Sequence, residues 1–191
     1  MKAAFKNPLG PNVSANTLAC MDQMMDLWTL DNIKAVWNNT TEPTYKWGLT
    51  HGDFHPGQVM FNTGDLTDML MLDWEFAGIM GSPGQDMASW MALIPNSFAT
   101  LHERDMVEAY WLALIEEGVS GEDYPFEQLW YDYGVFGAGA IFTRFIYFGG
   151  FMPYDPAVRL ITKNIDAFFE RHDLTPEMMQ PPMYTIVDDY V

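Results

Sequence analysis

One stretch of this chain decides its fold and carries most of its chemistry: Leu49-Thr50-His51-Gly52-Asp53-Phe54-His55-Pro56-Gly57-Gln58-Val59-Met60-Phe61. His51, Asp53 and His55 lie within five positions, and the apolar residues on either side predict short strands that hold them in place. A second apolar run, Met69–Leu72, ends at Asp73. We expect a small hairpin region that brings the two carboxylates to one edge, an arrangement typical of divalent-metal and general-base sites.

The spacing within this stretch points to phosphoryl transfer. Protein kinases use the pattern H-R-D-x-x-x-x-N, in which the Asp orients the substrate hydroxyl and the amide holds Mg²⁺. His51-Gly52-Asp53 and Gln58 stand at the same offsets, and Asp73 follows as a second acid. Because phosphoryl transfer needs little covalent chemistry and much charge neutralisation, one carboxylate at the hydroxyl and two oxygen ligands for a metal are the minimum set.

Three motifs resemble the aminoglycoside phosphotransferase and choline kinase-like family. The loop at 51–58 resembles its H-G-D-x-H-x-x-N, Leu72–Glu75 resembles its I/L-D-W/F-E/D, and Gly81–Ala88 is similar to its G-x-P-x-x-D-L-A helix start. The resemblance covers Tyr45 to Arg171. It implies an α+β, mostly α-helical fold: a protein kinase-like C-lobe with a small β-hairpin that carries the catalytic loop.

The resemblance also implies a reaction, the ATP- and Mg²⁺-dependent phosphorylation of a hydroxyl on a small molecule. It makes Asp53 the catalytic acid and Gln58 and Asp73 the metal ligands. The cofactor-binding set is His51, Gln58 and Asp73, and His51 is expected to order the loop by hydrogen bonding. His55 joins Asp53 in the catalytic set, either as a brace of the loop or as a contact to substrate or phosphate.

Two features depart from the family pattern. Gln58 stands where most members carry Asn, and it keeps an amide oxygen. The 50 residues before His51 contain no G-x-G-x-x-G, whereas the family has a β-lobe there with a glycine-rich loop and a phosphate-pairing Lys. We therefore expect a C-lobe alone, with an exposed apolar patch that pairs with an N-lobe-bearing partner or with a second copy. Asp86, in the third motif, is expected to brace the catalytic loop.

Two other functions stay open. Without an N-lobe, the chain could be a non-catalytic kinase-like module that binds a ligand or a partner. A metallophosphoesterase is less favoured: Gly52–His55 resembles the G-D-x-H start of such enzymes, but the sequence has no G-N-H-[DE] motif. The two later histidines, His102 and His172, lie among Glu and Arg on predicted helices, where we expect both to be exposed.

The composition is that of a packed globular chain, with 49% hydrophobic and 18% charged residues among 191. We expect one domain over residues 1–174 and an extended tail over 175–191. The net charge of −17 repels phosphate backbones and anionic lipid, so we expect no nucleic-acid and no membrane partner. The same charge favours a cationic acceptor, or else is an adaptation for solubility or salt.

Cys20 is the single cysteine, and residues 1–20 have no apolar leader core, so we expect a reducing, cytoplasmic location. The apolar segment Val135–Met152 is predicted to be a buried helix because Arg144 lies at its middle, and we expect Arg144 to face a cleft or pair with an acid. Other predicted helical regions run from a cap near Ser14 to about Trp37 and over 84–94, 101–118, 126–149 and 155–172.

Overall fold

The computed structural model describes residues 13–27, 29, 31, 48–82, 84–151 and 156–179, with the backbone alone described at 79–81, 142–151 and 156–161. The elements follow in chain order: α1 (Ala15–Leu27), β1 (Gly48–Thr50), β2 (Val59–Asn62), β3 (Asp65–Met71), β4 (Gly78–Gly81), α2 (Gln85–Met91), α3 (Asn96–Glu116), α4 (Phe126–Phe151) and α5 (Pro156–Arg171). Three 3₁₀ turns cover Pro56–Gln58, Trp74–Phe76 and Pro176–Met179. The prediction of a mostly helical α+β chain is confirmed.

The strands within the described ranges form two separate antiparallel pairs. β2 pairs with β3 through Val59 opposite Met71 and Phe61 opposite Met69, which confirms the predicted hairpin. β1 pairs instead with β4, a strand that the sequence did not indicate because two of its four residues are glycine. The two predicted carboxylates therefore do not lie on paired strands, since β1 and β3 belong to different sheets.

The helical core is built around α4. This helix packs most extensively against α2 and also against α3 and α5. At the contact with α2, a Cβ on Gly137 would lie 2.3 Å from the Cβ of Ala88, so the two helices approach closely because residue 137 has no side chain. The largest fully buried side chains come from all five helices, from the segment after α5 and from the 3₁₀ turn at the end of the described chain: Met24, Met91, Val107, Leu129, Tyr133, Ile141, Ile165, Phe168, Phe169, Leu174 and Met179.

The start of α1 is tied to α5 and to the segment that follows α5. The Ser14 side chain accepts the Thr17 amide at 3.1 Å, which confirms a helix cap at Ser14. Asp166 of α5 accepts the Ser14 amide and the Thr17 hydroxyl, and the Asn16 side chain donates to the Leu174 carbonyl at 2.7 Å. Residues 14–17 and 166–174 thus form one polar seam.

Several other predictions can be compared with the structure. α3 begins at Asn96 instead of 101, directly after Pro95. The tail predicted to be extended over 175–191 instead begins with a 3₁₀ turn at Pro176–Met179, in which Met179 is buried. Residues 180–191 of this tail lie outside the described chain. Residues 32–37 of the predicted helical region that ends near Trp37 also lie outside the described chain.

No helix within the described ranges is both long and apolar enough to cross a membrane. The side chain of Arg144 is outside the described residues.

The prediction for one histidine was wrong. His102 is exposed, as expected, but the His172 side chain is only 3% exposed. Its ring lies among Trp130, Tyr133 and Phe168, with centroid distances of 4.6, 5.2 and 4.5 Å. The aromatic neighbours come from α4 and α5, so only the packing of these two helices buries the ring.

Candidate functional site

The loop between β1 and β2 turns sharply at Gly52. This residue has a φ of +81°, in the left-handed region that favours glycine. A Cβ at this position would lie 2.4 Å from the carbonyl oxygen of Phe76, so the loop is also packed tightly against the 3₁₀ turn after Asp73. The glycine of the His51-Gly52-Asp53 motif therefore permits both the turn and the contact.

Asp86 holds the start of this loop from the first turn of α2. Its Oδ2 accepts the His51 amide at 2.6 Å and its Oδ1 accepts the Gly52 amide at 3.2 Å. These two hydrogen bonds confirm that Asp86 braces the loop. Burial and, to a smaller extent, the Asp86 carboxylate raise the pKa of Tyr110 on α3.

His51 is buried under the loop and joins it to the end of β3. Its Nε2 lies 2.7 Å from the Leu72 carbonyl oxygen, and the Asp53 amide approaches Nδ1 at 3.4 Å. Because a carbonyl oxygen can only accept a hydrogen bond, Nε2 must carry a proton. In the neutral ring this leaves Nδ1 as the acceptor of the Asp53 amide. Both ring nitrogens are therefore engaged within the protein. The geometry supports the expected loop-ordering role of His51 and gives no support to its direct contact with a cofactor.

Gln58 and Asp73 meet, as the motif predicted. The Gln58 Nε2 donates to the Asp73 Oδ2 at 2.9 Å, and the Leu72 amide donates to the Gln58 carbonyl at 2.8 Å. Asp73 has a φ of +65°, a left-handed conformation that Asp tolerates better than most residues. This turn and the paired backbones place the two side chains together.

The chemistry of this pair fits Mg²⁺. Mg²⁺ prefers hard oxygen ligands and is commonly held by one or two carboxylates plus substrate phosphates and water. Asp73 supplies a carboxylate, and rotation of the Gln58 amide would present its oxygen beside it. The described residues contain no group of three or more His, Cys, Asp or Glu side chains arranged for a metal, so protein ligands alone would not complete the site.

Asp53 and His55 lie on the open side of the loop. Their side chains are 38% and 32% exposed, and the His55 Nε2 lies 3.9 Å from the Asp53 Oδ2. The other ring nitrogen of His55 accepts the Gly57 amide at 3.0 Å. A partly solvent-accessible carboxylate on a loop that is held by hydrogen bonds is suited to contact an incoming hydroxyl.

Aromatic rings pack against His51 and Phe54 of the loop, and sequence reasoning missed this part of the site. The His51 ring lies 4.8 Å from Trp74 and 5.7 Å from Phe54, and Phe54 in turn lies 4.9 Å from Trp90. Trp90 stands one helical turn after Asp86, so the (i, i+4) spacing was the signal that could have identified it.

The comparisons with known proteins agree with the motifs. The model of the phosphotransferase enzyme family matches residues 13–126, which is more than half of the chain and includes the whole site described above. The match begins at residue 13, just before α1 and well before Tyr45, and ends at the first residue of α4. Searches of the curated proteins and of the solved structures found no match. The chain therefore belongs to the phosphotransferase enzyme family, the aminoglycoside phosphotransferase-like group whose loop motif it carries.

Proposed function

We propose that this chain transfers the γ-phosphoryl group of ATP to a hydroxyl of a small molecule with the help of Mg²⁺. The observation that carries the proposal is the contact of Gln58 with Asp73 at 2.9 Å, in a site whose loop also presents the partly exposed Asp53. A metal-ligand pair and a hydroxyl-orienting carboxylate are the two parts that phosphoryl transfer requires from this half of a kinase-like site.

Each part of the site has a defined task in this proposal. Asp53 accepts a hydrogen bond from the acceptor hydroxyl and aims its oxygen at the phosphorus. Gln58 and Asp73 would hold Mg²⁺, which when bound neutralises charge on the nucleotide phosphates. Asp86 accepts hydrogen bonds from the loop backbone, and His51 binds a carbonyl at the end of β3. These contacts keep the loop in place.

The charge of the site supports a cationic acceptor. Residues 48–82 contain five acids, Asp53, Asp65, Asp68, Asp73 and Glu75, and no Lys or Arg. Such a surface attracts positively charged molecules and repels anions. We therefore place amino sugars and amino alcohols first among the acceptors to be tested. We also propose a cytoplasmic location, which the single cysteine of the sequence, the buried and unpaired Cys20, supports.

The strands and turns around the site expose many apolar side chains, which supports a second polypeptide as partner. Eight large apolar side chains between residues 49 and 76 are exposed: Leu49, Met60, Phe61, Leu66, Met69, Leu70, Trp74 and Phe76. A surface of this kind commonly marks an interaction site. We propose that it receives the lobe that supplies a phosphate-pairing Lys, or a second copy of the chain, so that the site described above is the C-lobe half of a kinase-like enzyme.

One observation favours a second function. Since residues 48–82 offer no cationic side chain to a nucleotide, a non-catalytic module that binds a ligand or a partner is the alternative. Turnover, measured alongside nucleotide and metal binding, separates the two functions.

Calorimetry with Mg²⁺ and ATP tests the metal pair. Asp73→Asn keeps a residue that tolerates the left-handed backbone, but it removes the carboxylate. We expect this variant to weaken Mg²⁺-dependent ATP binding at least about 10-fold, because one of two protein ligands is lost. Asp105→Asn, at an exposed position on α3, is the control and should bind like wild type. Equal binding by all three proteins contradicts the assignment of Asp73.

Turnover tests the catalytic carboxylate. With a panel of amino sugars, amino alcohols and sugars, Asp53→Asn should lower kcat about 10²- to 10⁴-fold while ATP affinity stays the same. Unchanged turnover in this variant contradicts the role of Asp53. If the wild-type chain binds Mg²⁺ and ATP but phosphorylates no acceptor, even when a β-rich lobe with a Lys is supplied, the non-catalytic alternative holds.

A further inference from the structure

His55 has a ring orientation that is fixed by the backbone around it. The residue is extended, with φ −150° and ψ 164°, and its Nδ1 accepts the Gly57 amide at 3.0 Å to cap the Pro56–Gln58 turn. A nitrogen that accepts this hydrogen bond carries no proton in the neutral ring, so the proton resides on Nε2.

The space for this ring exists because residue 57 is glycine. A Cβ at Gly57 would lie 2.9 Å from the His55 Cε1 and 3.0 Å from its Nδ1. These distances are shorter than van der Waals contacts, so a side chain at 57 would push the ring away. The cap and the glycine together leave the imidazole one favoured position.

In that position, the protonated nitrogen faces Asp53. The Nε2 lies 3.9 Å from the Asp53 Oδ2, which is an electrostatic contact at a distance longer than a hydrogen bond. In ligand-free sites, such contacts are often long and shorten when the substrate binds. Both groups are about one third exposed, so the contact lies on the side of the loop that an acceptor must approach.

We propose that His55 is the positioning residue of Asp53: its Nε2–H attracts the carboxylate and keeps it oriented toward the acceptor hydroxyl. The inference rests on the proposed function and deepens it, because it resolves the two roles expected for His55. The ring caps the turn with one nitrogen so that the other can orient the catalytic group. It contacts neither phosphate nor substrate in this role.

Two substitutions separate the cap from the contact. In His55→Asn, the amide oxygen takes the place of Nδ1 and can still accept the Gly57 amide, but no group reaches Asp53. In His55→Gln, the longer side chain places an amide N–H near the Nε2 position. The matched control is His102→Asn, because His102 is exposed on α3 and contacts Phe98.

Carboxyl ¹³C NMR of the ligand-free chain tests the contact without turnover. The Asp53 signal is assigned by its loss in Asp53→Asn. We expect His55→Asn to shift this signal, His55→Gln to leave it closer to wild type, and His102→Asn to have no effect. An Asp53 signal that is the same in wild type and His55→Asn overturns the proposal, whether or not the chain is catalytically active.

Kinetics with Mg²⁺ and ATP test the consequence. His55→Asn should lower kcat about 10- to 100-fold with an unchanged KM for ATP and an unchanged Tm, and His55→Gln should recover part of the loss. A wild-type kcat in His55→Asn means that the residue only caps the turn, and the proposal is then wrong. Loss of activity in Asp53→Asn but not in His55→Asn leaves the proposed function intact, whereas retained activity in Asp53→Asn contradicts the proposed function itself.

Discussion

Gly52 is the residue at which backbone and packing constrain the site most tightly. Its φ is +81°, and a Cβ here would lie only 2.4 Å from the Phe76 carbonyl oxygen. Any side chain at this position therefore strains the loop and displaces the turn after Asp73. We expect Gly52→Ala to lower the free energy of unfolding by about 2 kcal/mol or more, as measured by urea unfolding.

Gly64 provides the matched control for this prediction. It lies in the turn of the β2–β3 hairpin, and a Cβ there would be 3.5 Å from the Asn62 side chain, which is an ordinary contact. Gly64→Ala should therefore change stability by less than about 1 kcal/mol. If both variants unfold at the same urea concentration, the strain attributed to Gly52 is absent.

At the residue scale, motif spacing was a good guide to side chains that bind one another or the loop backbone. It predicted the Gln58–Asp73 contact and the Asp86 brace, because each involves a polar side chain at a fixed offset. It could not predict that His51 binds the Leu72 carbonyl, since every residue has a carbonyl and only the fold selects one. It also failed for His172, because the rings that bury this residue converge only in the folded chain.

Among the helices, the strongest described tie is a buried polar network that joins α3, α4 and α5. Glu103 of α3, which is 3% exposed, accepts the Tyr133 hydroxyl and the Arg171 Nε, both at 2.7 Å. The His172 Nε2 lies 3.4 Å from the same carboxylate, and Arg171 also donates to Asn96. One carboxylate thus fixes the relative positions of three helices.

This network makes the chain sensitive to acid. Burial raises the pKa of Glu103, but the 3.4 Å contact with His172 and the hydrogen bonds and charge of Arg171 outweigh burial and lower it from 4.5 to about 2. Because the folded-state pKa lies below the ordinary value, the ionised group stabilises the fold above about pH 4.5. We expect this contribution, on the order of 3 kcal/mol, to be lost as the pH falls from 4.5 toward 2.

Glu103→Gln isolates that contribution. At pH 7 the variant should be about 3–5 kcal/mol less stable, because the Arg171 charge loses its buried partner. Between pH 4.5 and 2 it should lose less stability than wild type does. Guanidinium unfolding at several pH values measures both effects. A parallel pH dependence in the two proteins contradicts the role of Glu103.

Asp132 of α4 has the opposite dependence on pH. Burial raises its pKa from 3.8 to about 6, although hydrogen bonds from Tyr124 and Gln128 lower it in part. The neutral carboxyl therefore stabilises the fold below about pH 3.8, and this contribution is lost as the pH rises through 6.

We expect Asp132→Asn to be about 1–3 kcal/mol more stable than wild type at pH 7, with a flatter profile between pH 4 and 6. The same unfolding series measures this variant, and exposed Asp105→Asn is its control. A loss of stability at pH 7 in Asp132→Asn would show that the ionised form is the favoured one.

At the element scale, periodicity was sufficient for the long helices and insufficient for short strands. The regions predicted as 84–94, 101–118, 126–149 and 155–172 correspond to α2, α3, α4 and α5, because a buried helical face repeats over several turns. β4 has only four residues, and its partner is the distant β1, so no local pattern could indicate the pair.

The charge of the whole molecule opposes its own folding. A net charge of −17 among 191 residues produces repulsion that is relieved by dissolved ions. We expect the Tm at pH 7 to rise by about 2–4 °C between low salt and 0.5 M NaCl, which corresponds to about 1 kcal/mol for a chain of this size.

The same salt step at pH 4.2, the isoelectric point of the sequence, is the control, because net repulsion vanishes there. The Tm should then change little. An equal rise at both pH values would assign the effect to general strengthening of apolar burial by salt.

The seam between residues 14–17 and 166–174 has a consequence for the order of events during synthesis. α1 is synthesised before the other described elements, yet Asp166 and Leu174, which bind residues at its start, are 149 or more residues later in the chain. The apolar face of α1, with Cys20, Met21 and Met24, stays uncovered until translation has passed that point. If translation stops before residue 166, the apolar face of α1 in the incomplete chain remains accessible to chaperones and proteases.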